Sequence, residues 1–317
     1  MKKIVLFLIA AALTGCAAVK NDKNTAESVA ENQETLEVST GRAQGSAIGE
    51  NRNFFIGADI TEDTNIDGID AFEEKFSAHE VYADEIYIDE AKKAEAFMLE
   101  CYSRGKMPYI ILKNREGISD EDFKKYAGEF AEAVGKYDIE VMIEILENSY
   151  YYDENGEKYK YAAELIKKSN EQAETIWSVK RDDIILVGSY MPDENVDYIC
   201  INGYFSSTED AQRMFSEIRS HLDTDKKAIF RFGAAAYSTD DCIYRTDEAI
   251  ETINLVYESV KKDPNAAGII YMDKNTKLSD KVRYTDYSVT TDKKLSAGYK
   301  EIVDNAILYR QEKEMKE

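Results

Sequence analysis

The sequence predicts an α/β protein whose folded part is a (β/α)8 barrel, also called a TIM barrel. Three observations lead to this prediction. Eight short apolar segments recur along the chain, and most of them are separated by segments with helical periodicity. The alternating part, residues 53–317, spans about 260 residues, which suits the size of this fold.

The first half of this part contains four predicted strands and four predicted helices. Residues 54–60 are an apolar run that ends in acidic and polar residues, as buried parallel strands do. Gly105 marks the end of one helix, and Ser119 is suited to cap the start of the next. The strands cover residues 54–60, 85–88, 107–112 and 138–146. The helices cover residues 69–76, 90–104, 119–137 and 158–170.

The second half continues the alternation. Its predicted strands cover residues 175–179, 196–201, 227–232 and 268–272. Its predicted helices cover residues 208–222, 246–262 and 297–313. A doubly wound sheet with nucleotide-binding loops is the rival architecture. No GxGxxG motif follows the first strand and no GxxxxGK(S/T) motif occurs in the sequence, so the barrel is favoured.

Residues 1–15 have the pattern of a lipoprotein signal peptide. Lys2 and Lys3 precede an apolar run at residues 4–13, which is too short to span a hydrocarbon core of ~30 Å. The ending Leu13-Thr14-Gly15-Cys16 resembles the bacterial lipobox, which implies lipidation of Cys16 and cleavage before it. An ordinary signal peptide with a coincidental cysteine is the alternative. We expect an extracytoplasmic protein that touches the membrane through this lipid only.

Residues 16–52 are predicted to be a flexible tether. They contain many Asn, Glu, Ser, Thr and Gln residues and no aromatic residue. Such a segment buries too little apolar surface to offset the entropy lost on ordering. The predicted barrel therefore begins at residue 53.

Composition excludes several function classes. A formal charge of −22 disfavours nucleic acid as a partner, because an acidic surface repels phosphate. Two histidines and three cysteines beyond Cys16, without CxxC spacing, predict no metal site, and no cofactor motif is present. We expect Cys101, Cys200 and Cys242 to be free, buried thiols.

Functional residues of such a barrel lie where the strands end, at the carboxyl face. The candidates are charged, polar or aromatic residues at predicted strand ends: Asp59, Lys113, Glu147, Asn148, Trp177, Tyr204, Arg231, Phe232 and Asp273. This set contains no catalytic triad and no phosphate loop. Aromatic rings with amides and carboxylates are typical of a sugar site, because rings stack on apolar sugar faces while polar groups bind hydroxyls. For any single candidate, packing at the barrel rim is an equally good interpretation.

Several motifs occur in an order that indicates a family. They are Gly57-Ala58-Asp59, residues 69–73, residues 105–110, Trp177-Ser178, residues 190–199 and Tyr204. This order resembles that of the glycoside hydrolase family 26 domain over about residues 54–274. The resemblance implies a (β/α)8 barrel and an ancestry of endo-acting hydrolysis of β-mannan or related β-glucans.

The family resembled is a retaining one, which needs two carboxyl groups about 5–5.5 Å apart. Its nucleophile glutamate on strand seven corresponds to Arg231 here, and a guanidinium cannot act as a nucleophile. On strand four the family carries an arginine followed, after two residues, by His-Glu-Met-Asn. Aligning Glu144 with that arginine places Asn148 at the acid/base position, and the other register places Leu146 there. The nearby carboxylate, Glu147, is one residue away and by strand alternation should point elsewhere.

Three alternatives remain for the catalytic positions. A nucleophile could lie at Asp240 or Asp241 if the alignment is shifted. Glu147 could act as a lone acid with a water nucleophile, which would need a second base. Arg231 could pair with Glu144 or Glu147 in an inactive site.

Function hypotheses from different classes follow. The first is a surface-tethered pseudoenzyme that binds a polysaccharide or oligosaccharide without cleaving it. Its expected sugar contacts are Tyr150, Tyr151, Trp177, Tyr204 and Arg231, the last binding an acidic sugar group. The second is an active endo-β-glycosidase of mannanase or β-glucanase type with displaced carboxylates. A weaker third is a module that binds a cell-envelope protein partner.

Overall fold

The computed structural model describes residues 54–60, 68–147, 156–180, 195–221, 226–277 and 284–315. Eight parallel strands form a closed barrel: β1 (Phe55–Asp59), β2 (Val81–Tyr87), β3 (Met107–Lys113), β4 (Val141–Ile145), β5 (Ala173–Lys180), β6 (Tyr198–Phe205), β7 (Lys227–Ala234) and β10 (Ala266–Met272). Their order around the barrel is β1-β10-β7-β6-β5-β4-β3-β2, and β2 pairs with β1 to close it. The predicted (β/α)8 barrel is confirmed.

Helices surround the barrel. They are α1 (Gly68–Glu73), α2 (Ala91–Ser103), α3 (Asp120–Gly135), α4 (Glu157–Ser169), α5 (Thr208–His221), α6 (Thr246–Val260) and α7 (Lys293–Glu314). In α3 the hydroxyl of Ser119 accepts a hydrogen bond from the Asp122 amide at 3.1 Å, which is the predicted cap. Its buried residues, including Phe123, Phe130 and Val134, recur at helical spacing and face the strands. Among the described residues, no helix is long and apolar enough to cross a bilayer.

The apolar interior forms two layers. One packs between the strands and the helices, and the other fills the barrel itself with inward residues such as Phe55, Tyr109 and Ile229. A Cβ atom on Gly268 would lie 2.5 Å from the ring of Phe55. Because this position lacks a side chain, the aromatic ring can occupy the centre of the barrel.

A second, four-stranded antiparallel sheet was not predicted. Its strands are β8 (Tyr237–Ser238), β9 (Ile243–Tyr244), β11 (Asn275–Lys277) and β12 (Tyr284–Asp286), in the order β11-β12-β8-β9. Strands of two or three residues are too short to show a clear alternation in the sequence. The sheet follows β7 and β10 in the chain, so it lies at the carboxyl face of the barrel.

Two further expectations are corrected. Strand β2 begins at Val81, earlier than the predicted residue 85. The prediction began too late because the acidic pair Asp84-Glu85 interrupts the apolar run of the strand. The three cysteines of the described residues are free, as expected, and Cys101 and Cys200 are buried. Cys242 is exposed instead, because it lies in the turn between β8 and β9.

Candidate functional site

Among the described residues, seven charged side chains meet at the carboxyl end of the barrel. They are Asp59 on β1, Glu85 on β2, Lys113 on β3, Glu144 on β4, Glu147 just after β4, Arg231 on β7 and Lys274 just after β10. All except Glu144 form a closed circuit in which cations and carboxylates alternate, and we call this circuit the charged ring. Residues far apart in sequence meet here because the strands place their inward side chains around one axis.

One half of the charged ring faces solvent. Lys274 Nζ lies 2.8 Å from Glu85 Oε1, and Lys113 Nζ lies 2.6 Å from Glu85 Oε2. Lys113 Nζ is also 3.4 Å from Glu147 Oε2. These four side chains keep 11–28% of their surface exposed, so their polar atoms can reach a ligand in the barrel mouth.

Arg231 closes the other half of the ring beneath the surface. Its side chain is fully buried, and Nη2 donates to Glu147 Oε1 at 2.7 Å and to Glu144 Oε1 at 3.2 Å. Nη1 donates to Asp59 Oδ2 at 3.3 Å, and Lys274 Nζ lies 3.7 Å from the same oxygen. The pairing of Arg231 with Glu144 and Glu147 is confirmed. The predicted contact of Arg231 with an acidic sugar gains no support, because three carboxyl groups surround the guanidinium and none of its side chain is exposed.

The cations keep the two outer carboxylates ionised. Burial alone would raise the pKa of Glu85, but Lys274 and Lys113 outweigh it and lower that pKa to about 2. Burial likewise opposes ionisation of Glu147, and the positive charge of Arg231 is the main influence that lowers its pKa. Neither group is a proton donor at neutral pH, so the lone-acid scheme for Glu147 is disfavoured.

The buried carboxyl groups behave differently. Loss of hydration raises the pKa of Asp59 and of Glu144, although Arg231 partly offsets this effect at both. The Tyr109 hydroxyl donates to Glu144 Oε2 at 2.9 Å. The pKa of Arg231 is raised because Glu144 and Glu147 outweigh the cost of its own burial. The guanidinium therefore stays charged at the centre of the site.

A local backbone turn brings Glu147 into the ring. Strand β4 ends at Ile145, and Leu146 has a φ of 55°, in the left-handed region that non-glycine residues seldom adopt. This turn breaks the alternation of the strand and directs the Glu147 carboxylate towards Arg231. The expectation that Glu147 points elsewhere is wrong for that reason.

Two carboxyl groups of the site, those of Glu144 and Glu147, lie close together. Glu144 Oε1 and Glu147 Oε1 contact the same nitrogen of Arg231, so these oxygens are within about 6 Å of each other. In a retaining enzyme a sugar lies between the two carboxyl groups. Here one nitrogen of the Arg231 guanidinium donates a hydrogen bond to each of them.

Aromatic rings lie beside the charged ring at the rim of the barrel. Tyr204, the inward residue at the end of β6, is 37% exposed, and its ring centroid lies 4.5 Å from that of Tyr287. The Nζ of Lys274 lies 6.0 Å from the Tyr204 ring. A Cβ atom on Gly233 would come within 3.2 Å of both tyrosines, so this glycine makes room for the pair. Tyr204 thus offers exposed aromatic surface at the rim, beside the charged ring.

Three other candidates do not line the mouth. Trp177 is 2% exposed and packs against Tyr159 of α4, because its position on β5 faces the helices. The predicted stacking of a sugar on Trp177 therefore gains no support from the structure. Phe232 also packs outward, and the Asp273 carboxylate accepts a hydrogen bond from the Val289 amide at 2.7 Å, away from the ring.

The remaining candidates fall elsewhere. Asn148, Tyr150 and Tyr151 lie outside the described residues. Asp240 and Asp241 are exposed in the turn between β8 and β9, where Asp241 pairs with Arg245. Neither aspartate belongs to the charged ring, so a shifted nucleophile at this turn has no support from the geometry.

Glu85 and Lys274 were not predicted as site residues from the sequence, and Glu144 was predicted only as a partner of Arg231. Glu85 was placed at the start of a strand instead of near its carboxyl end. Lys274 directly follows Asp273, and of these two residues only Asp273 was predicted as a candidate at the strand end. A glutamate inside an otherwise apolar strand is a usable signal for Glu144, because a buried carboxyl group needs a partner.

Comparison with known proteins relates this geometry to solved structures. Neither a known family model nor a curated protein sequence matches the chain. A GH113 β-1,4-mannanase superposes with a TM-score of 0.59 at 12% identity, covering 82% of this chain and 98% of the mannanase. An endo-β-1,4-mannanase from Cellulomonas fimi, of glycoside hydrolase family 26, superposes with a TM-score of 0.57 at 14% identity. The match covers 79% of this chain and 70% of the mannanase.

A third neighbour is a β-glucuronidase from Ruminococcus gnavus. Its TM-score is 0.56 at 12% identity, and the match covers 78% of this chain and 49% of the glucuronidase. At such identities these likenesses establish the barrel fold, which is shared with glycoside hydrolases.

Proposed function

We propose that this protein binds a neutral β-linked glycan at the barrel mouth without hydrolysing it, and that a lipid on Cys16 holds it at the outer side of a bacterial membrane. The observation that carries the first part is the position of Arg231. A buried guanidinium occupies the space between two carboxylates that could otherwise have acted as a catalytic pair.

The chemistry of Arg231 opposes glycoside hydrolysis. It cannot attack an anomeric carbon, and its charge would oppose an oxocarbenium-like transition state by about 4 kcal/mol at 4 Å and an effective dielectric of ~20. The family resembled has an arginine on strand four and a glutamate on strand seven. Here Glu144 and Arg231 have the reverse charges and are 3.2 Å apart. Such an exchange keeps an ion pair while removing the nucleophile.

The mouth retains features that suit a sugar. Tyr204 and Tyr287 offer aromatic surface, and the solvent-facing half of the charged ring offers both donors and acceptors. A sugar hydroxyl donates one hydrogen bond and accepts others, so adjacent lysines and glutamates can satisfy it. An acidic glycan is disfavoured because Arg231 is fully occupied and the chain carries a formal charge of −22. The mannanase neighbours make β-1,4-mannan a reasonable first ligand to test.

Binding and cleavage should be measured in the same samples. The full chain carrying Cys16→Ser, which prevents lipidation, would be incubated with β-mannans, β-glucans and acidic exopolysaccharides. We expect binding to a neutral β-glycan with no release of reducing ends. Tyr204→Ala should weaken this binding about tenfold, as truncation of a central aromatic contact does. Tyr244→Ala, at an exposed tyrosine of β9, is the matched control and should bind like the parent.

Other outcomes would contradict the proposal in distinct ways. Release of reducing ends that Glu147→Gln abolishes would support the active endo-β-glycosidase instead. The short spacing of the Glu144 and Glu147 oxygens is the observation that favours this second candidate. If no glycan is bound or cleaved, the proposal fails and a cell-envelope protein partner becomes the better hypothesis.

Membrane attachment has its own test. Bacteria expressing the full chain would be fed an alkyne-labelled fatty acid, and the protein would be examined for label and for partition into detergent. We expect the parent to carry the label and Cys16→Ser to lose it, because the thiol is the acceptor that the lipobox resemblance implies. Cys242→Ser, at an exposed thiol, should keep the label. Labelling that survives Cys16→Ser would overturn the anchor assignment.

A further inference from the structure

The rim of the barrel carries a second planar surface, at the carboxyl end of β2. Tyr87 follows Glu85 on the same face of β2 and is paired in register with Lys113. The guanidinium carbon of Arg115 lies 4.0 Å from the centroid of the Tyr87 ring. The aromatic ring and the guanidinium therefore form one stacked unit at the edge of the mouth.

This unit is held in place by two carboxylates. Arg115 Nε lies 2.9 Å from both carboxylate oxygens of Asp89, and Nη2 donates to Glu90 Oε1 at 2.9 Å. The Tyr87 amide donates to Glu90 Oε2 at 3.3 Å. Surface ion pairs of this kind contribute little to stability, since Arg115 is 44% exposed. Their larger effect is to fix the orientation of the stacked unit before a ligand arrives, which lowers the entropy cost of binding.

The two aromatic surfaces lie on opposite sides of the barrel. In the strand order, β2 and β6 are separated by β3, β4 and β5 on one side and by β1, β10 and β7 on the other. Eight tilted strands spaced about 4.8 Å apart enclose a barrel on the order of 15 Å across. Tyr87 and Tyr204 therefore extend into the mouth from strands on opposite sides.

A continuous polar path joins them. From Tyr204 the path runs to Lys274, whose Nζ lies 6.0 Å from that ring, and then to Glu85 at 2.8 Å. Glu85 and Tyr87 are successive residues on the inward face of β2. Aromatic surfaces at both ends of a row of donors and acceptors match a linear chain of linked sugars.

Resting on the proposed glycan-binding function, we infer that Tyr87 and Arg115 form a second stacking station and that the ligand is a glycan chain crossing the whole mouth. The Tyr204–Tyr287 pair binds one part of the chain, the charged ring binds hydroxyls in the middle, and the Tyr87–Arg115 unit binds the far part. The site then selects chain length, so that polysaccharides and longer oligosaccharides bind better than disaccharides.

A chain-length series tests this inference. The full chain with Cys16→Ser would be titrated calorimetrically with β-1,4-linked manno-oligosaccharides and cello-oligosaccharides of two, four and six units. We expect affinity to rise with length, and Tyr87→Ala to weaken binding of the six-unit ligand about tenfold while leaving the two-unit ligand unchanged. Tyr87→Phe keeps the ring and should bind like the parent, and Tyr244→Ala is the control for loss of an exposed tyrosine. Melting temperatures would confirm that each variant is folded.

The outcomes separate this inference from the function on which it rests. Affinity that is independent of length, or equal for Tyr87→Ala and the parent at six units, overturns the second station even if Tyr204→Ala still weakens binding. An equal loss at every length also overturns it, because the station would then act on the first bound units. If oligosaccharides of no length bind, the proposed function itself has failed.

Discussion

Arg231→Glu should destabilise the protein by at least about 3–5 kcal/mol, the usual cost of removing one partner from a buried ion pair. The substitution would place a fourth carboxyl group beside Asp59, Glu144 and Glu147. It would also remove the guanidinium that pairs with all three. Arg231→Lys should cost less, about 1–3 kcal/mol, because it keeps the charge but loses the two-nitrogen fork. Urea unfolding of the full chain measures both effects.

A double exchange separates charge pairing from simple damage. Glu144→Arg alone should also be strongly destabilising, because it places two guanidinium groups together. Combined with Arg231→Glu, it should cost clearly less than the two single changes added, since the 3.2 Å pair is restored in reverse. Arg213→Glu, at an exposed pair with Asp210, is the control and should change stability by under about 1 kcal/mol. Additive costs, or an Arg231→Glu cost as small as the control's, would contradict the ring.

Gly135→Ala should destabilise the protein by about 1–3 kcal/mol, although alanine is normally the better helix residue. Gly135 is the last residue of α3, and a Cβ atom there would lie 2.7 Å from Ser169 Cβ and close to the Ser169 backbone in α4. Backbone atoms of a neighbouring helix cannot rotate aside as a flexible side chain can. Thermal or urea unfolding of the variant measures the cost.

The same helix supplies the control for this prediction. A Cβ atom on Gly128 would meet nothing within 4 Å, so Gly128→Ala should stabilise the protein by about 0.5–1 kcal/mol through helix propensity alone. The two substitutions are chemically identical and should have opposite signs. Equal effects at both positions would show that α3 and α4 do not approach as closely at Gly135 as the structure has it.

The charged ring places polar groups that suit a sugar beside a buried guanidinium at the carboxyl end of the barrel. Catalysis by two carboxyl groups needs one protonated and one free carboxylate facing the same bond. In the outer half of the ring, Lys113 and Lys274 keep Glu85 ionised and occupied. Polar groups in this state can still exchange hydrogen bonds with hydroxyl groups, as the proposed glycan binding requires.

Much of the fold was predictable because its signals are local. Apolar runs bounded by polar residues indicated the barrel strands, and Ser119 capped α3 where expected. The predicted strand boundaries were least accurate where charged residues interrupt an apolar run, as Asp84 and Glu85 do in β2. The small antiparallel sheet was missed because its strands are too short to show periodicity.

By itself the sequence determined the (β/α)8 barrel and the end of the barrel that carries the candidate residues, and it predicted that Arg231 stands in place of a nucleophile. Only the tertiary structure decided which charges meet. Arg231 and Asp59 are 172 residues apart in the sequence, Leu146 turns Glu147 inward, and β5 faces Trp177 outward. Strand pairing and side-chain direction depend on contacts between distant segments, and no local pattern specifies these contacts.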